Sequence, residues 1–96
     1  MRITGRDKLN KFAKKYSKAR KPIASWVRVV ESAKWKKSAD VKATFNSVDN
    51  PSGTRYIFNL GGNKFRIVAV VIIKNGVVMV DEIMTHTEYD KWNKGK

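Results

Sequence analysis

The sequence predicts an α+β domain in which an N-terminal helical hairpin packs on one face of a small, mostly antiparallel β-sheet and a short helix follows the last strand. Three observations lead there. Between positions 5 and 34 apolar residues recur at spacings of three and four. Between 55 and 84 the chain is a series of apolar runs broken at Gly61-Gly62 and Asn75-Gly76. The stretch "NSVDNPSG", 46–53, is dense in turn formers and separates the two halves as a loop. The element order is β-α-α-β-β-β-α, in one domain spanning 1–96.

Met1–Ile3 reads as a short strand. Thr4-Gly5-Arg6-Asp7 fits a capping box, with the Thr4 hydroxyl accepting a free amide and Asp7 reaching back. A first helix from about Gly5 to Tyr16 carries the stripe Leu9, Phe12, Ala13, Tyr16; Lys8, Lys11, Lys14, Lys15 and Lys18 lie mostly off it. Pro22 suits the first turn of a second helix, about Lys21 to Lys34, whose stripe is Ile23, Trp26, Val27, Val30 and Ala33. Ser38-Ala39-Asp40 has the character of a cap for a short helical turn, "DVKATF". Three strands follow, about Arg55–Leu60, Asn63–Ile73 and Val77–Met84. Thr85 and Glu88 form a candidate capping box for the last helix, and Thr87 with Asp90 repeats the pattern two residues on.

Composition narrows the chemistry. A hydrophobic fraction of 42% with ten aromatic residues belongs to a folded chain. There is no cysteine and one histidine, which excludes thiol chemistry and disfavours a zinc or haem site. No apolar run reaches the roughly 18–20 residues that span a bilayer, and the N-terminus has no apolar signal core, so a cytoplasmic protein without membrane contact is expected. Net charge is +13, and residues 1–37 hold thirteen Lys/Arg against two acids while 38–96 hold eight against six. A surface so poorly balanced by acids favours a polyanionic partner, nucleic acid or ribosome, over a merely solvated helix face.

A two-residue turn at Gly61-Gly62 sets the hairpin. It opposes Asn59 to Lys64, Phe58 to Phe65 and Ile57 to Arg66, and opposed residues share a face. Tyr56, Phe58, Phe65 and Ile67 then form a core face. Arg55, Asn59, Lys64 and Arg66 share the other, beside an apolar floor of Val68, Val70 and Ile72 suited to single-stranded nucleic acid. Extending a two-residue Asn75-Gly76 turn brings residues 85 and 86 beside 66 and 65. His86 comes to the Arg66 end of the sheet, but strict alternation puts it on the Phe65 face. The chain has to turn there for the two to meet. Tyr89 lies one helical turn beyond His86.

The segments "VKATFNSVDN", "FNLGGNKFRIVAVV" and "MTHTEYDK", in that order, resemble the HigB toxins of type II toxin–antitoxin systems, a branch of the RelE/ParE superfamily. Trp35 before the "DVKATF" turn, Phe58-Asn59, the Gly61–Arg66 hairpin and Thr85–Asp90 carry the likeness across nearly the whole chain. Phe65 stands where tyrosine is common and Leu60 where isoleucine is common. The resemblance implies a compact RelE-like fold and a ribosome-dependent mRNA interferase that cuts translated mRNA. It also implies a HigA-type helix-turn-helix antitoxin, with operator DNA met only indirectly through that antitoxin.

With that activity, cleavage proceeds by attack of the 2′-hydroxyl, with no metal or other cofactor. Arg66 is assigned to the scissile phosphate, Lys64 to the same or a neighbouring phosphate, and His86 to general base or acid. Tyr89 stacks on a base or assists proton transfer. Asn59, Asn63 and Arg55 position RNA, and Lys8, Lys11 and Lys15 on the first helix hold ribosomal RNA. The rival readings are a non-catalytic RNA- or ribosome-binding protein, which gives no reason to gather Lys64, Arg66, His86 and Tyr89, and a ParE-like gyrase inhibitor.

Overall fold

The computed structural model describes residues 1–95. Strand β1 (Arg2–Thr4) leads into α1 (Arg6–Lys15), a 3₁₀ turn at Ser17–Ala19, α2 (Arg20–Ser32) and α3 (Ser38–Thr44). Then come β2 (Asp49–Ser52), β3 (Arg55–Leu60), β4 (Phe65–Ile72), β5 (Val77–Thr85) and α4 (His86–Lys94). The five strands form one sheet in the order β1-β5-β4-β3-β2, parallel between β1 and β5 and antiparallel elsewhere. Among the described residues no helix is long and apolar enough to cross a membrane.

The helical stripes do what their spacing predicts. Leu9 and Phe12 of α1 and Ile23, Trp26 and Val30 of α2 are buried against Phe58, Leu60, Phe65, Ile67, Ala69, Val78 and Val80 on one face of the sheet. Edge-on aromatic contacts join the layers: Trp26 to Phe58 at 5.4 Å and Phe45 to Phe58 at 5.1 Å. The opposite face has its own small cluster, Ile57, Val68 and Met84, covered by Tyr89 and Trp92 of α4.

Several local expectations are corrected. Thr4 does not cap α1: it is paired with Met79 in the β1–β5 ladder, so Gly5 takes the N-cap position in a left-handed conformation, φ 80°. The N-terminus of α3 is held by Asp40, whose carboxylate accepts the amides of Lys36 and Lys37 at 2.8 and 3.2 Å. The Lys36 amide, followed by the Lys37 amide and the two lysine charges, outweighs the cost of burial and holds the Asp40 carboxyl below its ordinary value. Residues 49–52, expected in a loop, form the edge strand β2, pairing Asp49 with Ile57 and Ser52 with Arg55. "DNPS" lacks apolar alternation because all four residues are exposed, and Pro51 is tolerated because an edge strand need not donate from every residue.

The β3–β4 turn is a four-residue loop, 61–64, because Leu60 pairs with Phe65. Phe58 therefore opposes Ile67 and Asn59 opposes Arg66, a slide of two positions from the expected register. A slide of two preserves the side-chain period, so the two faces hold the expected residues. Lys64 is the exception: it sits in the loop, not opposite Asn59. The β4–β5 loop is also four residues, since Ile72 pairs with Val77. A β-bulge then interrupts this ladder: Ala69 pairs with Val80 but Val68 with Glu82, which leaves Asp81 as the extra residue.

Candidate active site

The bulge decides where the last strand delivers its side chains. Before it, Val78 and Val80 face the helices; after it, Glu82 and Met84 lie on the other face, opposite Val68 and Arg66. The ladder continues past Thr85, which pairs with Phe65, to a 2.8 Å bond from the His86 amide to the Lys64 carbonyl. His86 thus falls on the Arg66 face by alternation alone. The expected turn away from the sheet is not what brings the two together.

The helix that carries His86 is firmly started. Thr85 is its N-cap: the Glu88 amide donates to the Thr85 hydroxyl at 3.1 Å and the Thr85 amide donates to the Glu88 carboxylate at 2.9 Å. The alternative box from Thr87 to Asp90 does not form, and Asp90 instead faces His86 at 3.4 Å, one turn back on the same helix. Tyr89 and Trp92, spaced by three, turn towards the Ile57–Val68–Met84 cluster and tie α4 to the sheet. This covers Val68, which is fully buried, so the open apolar floor expected beside the cations is closed at that end.

Arg66 is the centre of the arrangement. At 8% exposure it is the one buried charged residue among those described. Its Nη1 donates to the Asn63 carbonyl at 3.0 Å and more weakly to the Phe65 carbonyl at 3.4 Å. Its Nη2 lies 3.2 Å from His86 Nδ1, and its guanidinium carbon sits 5.3 Å from the centre of the Tyr89 ring. Among the described residues no carboxylate pairs with it. Burial of a cation usually demands an opposing charge, and carbonyls, a ring nitrogen and an aromatic face supply only partial negative charge. What the arrangement offers chemically is a preorganised, incompletely neutralised cation beside an imidazole.

The remaining expected residues divide. Tyr89 joins the cluster, with the Arg66 guanidinium over one face of its ring. Asn59 is adjacent through its pairing with Arg66, and its side-chain amide donates to the Ser47 carbonyl at 3.2 Å. Asn63 and Lys64 have exposed side chains on the loop beside the guanidinium. Arg55 does not join. It shares the sheet face but pairs with Val70, four residues from Arg66 and so about 13 Å along the strand, and it is bound to Asp81 at 3.3 Å.

Lys8, Lys11 and Lys15 line a groove with Phe12, Asp81, Glu82 and Ile83, between α1 and the part of β5 left unpaired once β1 has ended. Lys8 is partly committed there, donating to the Asp81 carbonyl at 2.9 Å. That length of β5 runs directly on to His86. The residue that sequence reasoning missed is Asp90; its i, i+4 spacing from His86 is a signal for a shared helix face.

The family model of the HigB toxin, the RelE-like toxic component of a toxin–antitoxin system, matches residues 19–92. The mRNA interferase toxin HigB of Escherichia coli K12 is 33% identical over 92 residues, covering 94% of this chain and 88% of that protein. The mRNA interferase HigB of Shigella flexneri gives the same figures, and that of Escherichia coli O6:H1 is 27% identical over 93 residues, covering 95% of this chain and 90% of its own. The protein belongs to the HigB family of RelE-like toxins.

Proposed function

We propose that this chain is an mRNA interferase that cuts translated mRNA in the ribosome by metal-independent attack of the ribose 2′-hydroxyl on the adjacent phosphate. It acts in the cytoplasm, with its α1–α2 hairpin on one side of a RelE-like fold, and a HigA-type antitoxin neutralises it. The observation that carries this reading is the buried Arg66, unpaired with any carboxylate among the described residues and held against His86.

The products of such a cut are a 2′,3′-cyclic phosphate and a 5′-hydroxyl. Charge builds on the phosphate oxygens as the 2′-oxygen attacks, and a fixed guanidinium aimed at them stabilises that state more than the ground state. Arg66 takes this role, its fork suited to two oxygens at once. Lys64, on the adjoining loop, meets the same or the next phosphate. His86 transfers a proton. Tyr89 supports the guanidinium with its ring, which leaves its hydroxyl for a second proton transfer. Asn59 and Asn63 border the path of the RNA, and Lys8, Lys11 and Lys15 hold ribosomal phosphates along β5.

The test is primer extension on a translated message after induction, with and without ribosomes, for the natural chain, Arg66→Ala and His86→Ala. Cuts that need both ribosomes and the intact pair are expected. Losing one such group costs roughly 10²–10³-fold. Full cutting by both variants at equal expression overturns the site, and an absence of cuts by the natural chain overturns the activity.

A further inference from the structure

We propose that Asp90 is a positioning residue which, together with Arg66, fixes His86 as a neutral imidazole protonated on Nε2, and that a phosphate which engages Arg66 releases Nδ1 as the proton acceptor. The inference rests on the interferase reading for its chemistry but not for its geometry.

A guanidinium has only donors. The 3.2 Å approach of Arg66 Nη2 to His86 Nδ1 is therefore a hydrogen bond only if Nδ1 carries a lone pair. The single proton of the neutral ring then lies on Nε2, the atom that faces the Asp90 carboxylate at 3.4 Å. Both neighbours select the same tautomer. The other charged groups nearby do not compete: Glu88 is committed to the Thr85 cap, and Lys64 meets His86 through its backbone carbonyl. The Arg66 donor holds the ring at Nδ1, and the Asp90 carboxylate acts on Nε2 through its charge at 3.4 Å.

In this state the lone pair needed by a general base is occupied. Among the described residues Arg66 is held at Nη1 by two backbone carbonyls but at Nη2 only by the ring, so a phosphate that competes for Nη2 frees Nδ1 without dislodging the arginine. Nδ1 then takes the 2′-hydroxyl proton as the 2′-oxygen forms its bond to phosphorus. The P–O5′ bond breaks, the 5′-oxygen leaves with its electron pair, and the Tyr89 hydroxyl supplies its proton. The His86 imidazolium, paired with Asp90 through Nε2–H, gives up its proton through solvent to restore Tyr89. Without bound phosphate the base is masked.

His86 is the only histidine in the chain, so nitrogen-15 spectra carry one pair of ring signals. The free protein is expected to show a protonated Nε2 and an unprotonated, hydrogen-bonded Nδ1. Inorganic phosphate is expected to move the Nδ1 signal towards that of a free acceptor. Asp90→Ala is expected to weaken the tautomer preference and to lower the cleavage rate on the order of tenfold or more. Asp90→Asn, which keeps an acceptor facing Nε2, should restore the preference but only part of the rate. A protonated Nδ1 in the free protein overturns the proposal. An Nδ1 signal unmoved by phosphate up to molar concentration overturns the release step, and an Asp90→Ala chain with unchanged tautomer and rate overturns the role of Asp90. Failure of the interferase reading shows separately, as a chain with the expected ring signals that cuts no message.

Discussion

The His86 amide donates to the Lys64 carbonyl at 2.8 Å, one step beyond the last strand pair, Phe65 with Thr85. That bond makes His86 the next member of the face that already holds Arg66 and Met84. Its placement depends on parity: the bulge takes up Asp81 as one extra residue, and regular alternation resumes at Glu82. Deleting Asp81 only removes the bulge: Glu82 then follows Val80 in regular alternation, still opposite Val68, so Met84 stays opposite Arg66 and His86 keeps its face. Inserting an alanine between Ile83 and Met84 instead slides Met84, Thr85 and His86 by one and turns Met84 and His86 towards the helices. The insertion is expected to lose growth inhibition and to lower the melting temperature, while the deletion keeps the site and stays toxic. Asp81→Ala keeps the bulge and loses only an exposed ion pair with Arg55, worth about 0–1 kcal/mol, so it should remain toxic. A toxic insertion variant would sink the role given to parity.

Parity also separates what was legible in the sequence from what was not. The β3–β4 hairpin was expected two positions out of register, yet its faces came out right because an even slide changes partners and not sides. The β5 ladder was expected one position from its true register at Arg66, and an odd slide changes sides. Asp81 bears none of the glycine signature that marks some bulges, and its neighbours Val80 and Glu82 read as ordinary alternation. The two helical stripes were legible because an apolar face has to be buried somewhere. The docking of α4 was less so: Ile57, Val68 and Met84 on the outer face demanded a cover, but only tertiary structure shows that Tyr89 and Trp92 supply it.

Met84 links packing to chemistry. It is 6% exposed beneath α4, opposite Arg66, and touches neither the guanidinium nor the imidazole by any hydrogen bond. Met84→Ala removes a buried side chain from a three-residue cluster, at a cost of about 2–5 kcal/mol for a well-packed site. The lower end is expected because α4 can settle into part of the space. Settling moves His86 relative to Arg66, so cleavage should fall further than the loss of folded protein explains. Met84→Leu, nearly equal in volume, is the control and should keep both stability and rate. Thermal melts and cleavage on the same samples decide it; activity that tracks only the folded fraction would deny α4 a positioning role.

The lysine groove makes a different demand. If Lys8, Lys11 and Lys15 lie on ribosomal phosphates, replacing all three with glutamine weakens ribosome association more at low salt than at high salt. Each lost phosphate contact lowers the slope of log affinity against log salt by about 0.7–0.9. A fall of roughly two is expected from the set, with Lys8 contributing least because it already donates to the Asp81 carbonyl. Sedimentation with ribosomes across a potassium chloride series measures it. An unchanged slope would remove α1 from the interface, whatever the change in toxicity.

Gly5 tests the junction that sets α1 against β5. Its φ of +80° is left-handed, and a Cβ there would stand 2.6 Å from the Val80 carbonyl oxygen and 3.2 Å from the Val80 Cβ. Gly5→Ala therefore meets two costs: a non-glycine residue in that conformation, about 1–3 kcal/mol, and a clash with backbone that cannot swing aside. Gly53 is also left-handed, φ +47°, but has open space around its would-be Cβ. Gly53→Ala meets the first cost alone. In a chain of this size 1 kcal/mol is worth about 4–8 °C in Tm, so thermal melts should resolve the two variants, with Gly5→Ala clearly the lower. Val80 precedes the bulge residue directly, and a carbonyl displaced there shifts the start of the register that His86 inherits. Gly5→Ala should for that reason lose activity as well as stability, while Gly53→Ala loses only stability; equal melts for the two would mean that α1 does not press on β5 as closely as the Val80 contact requires.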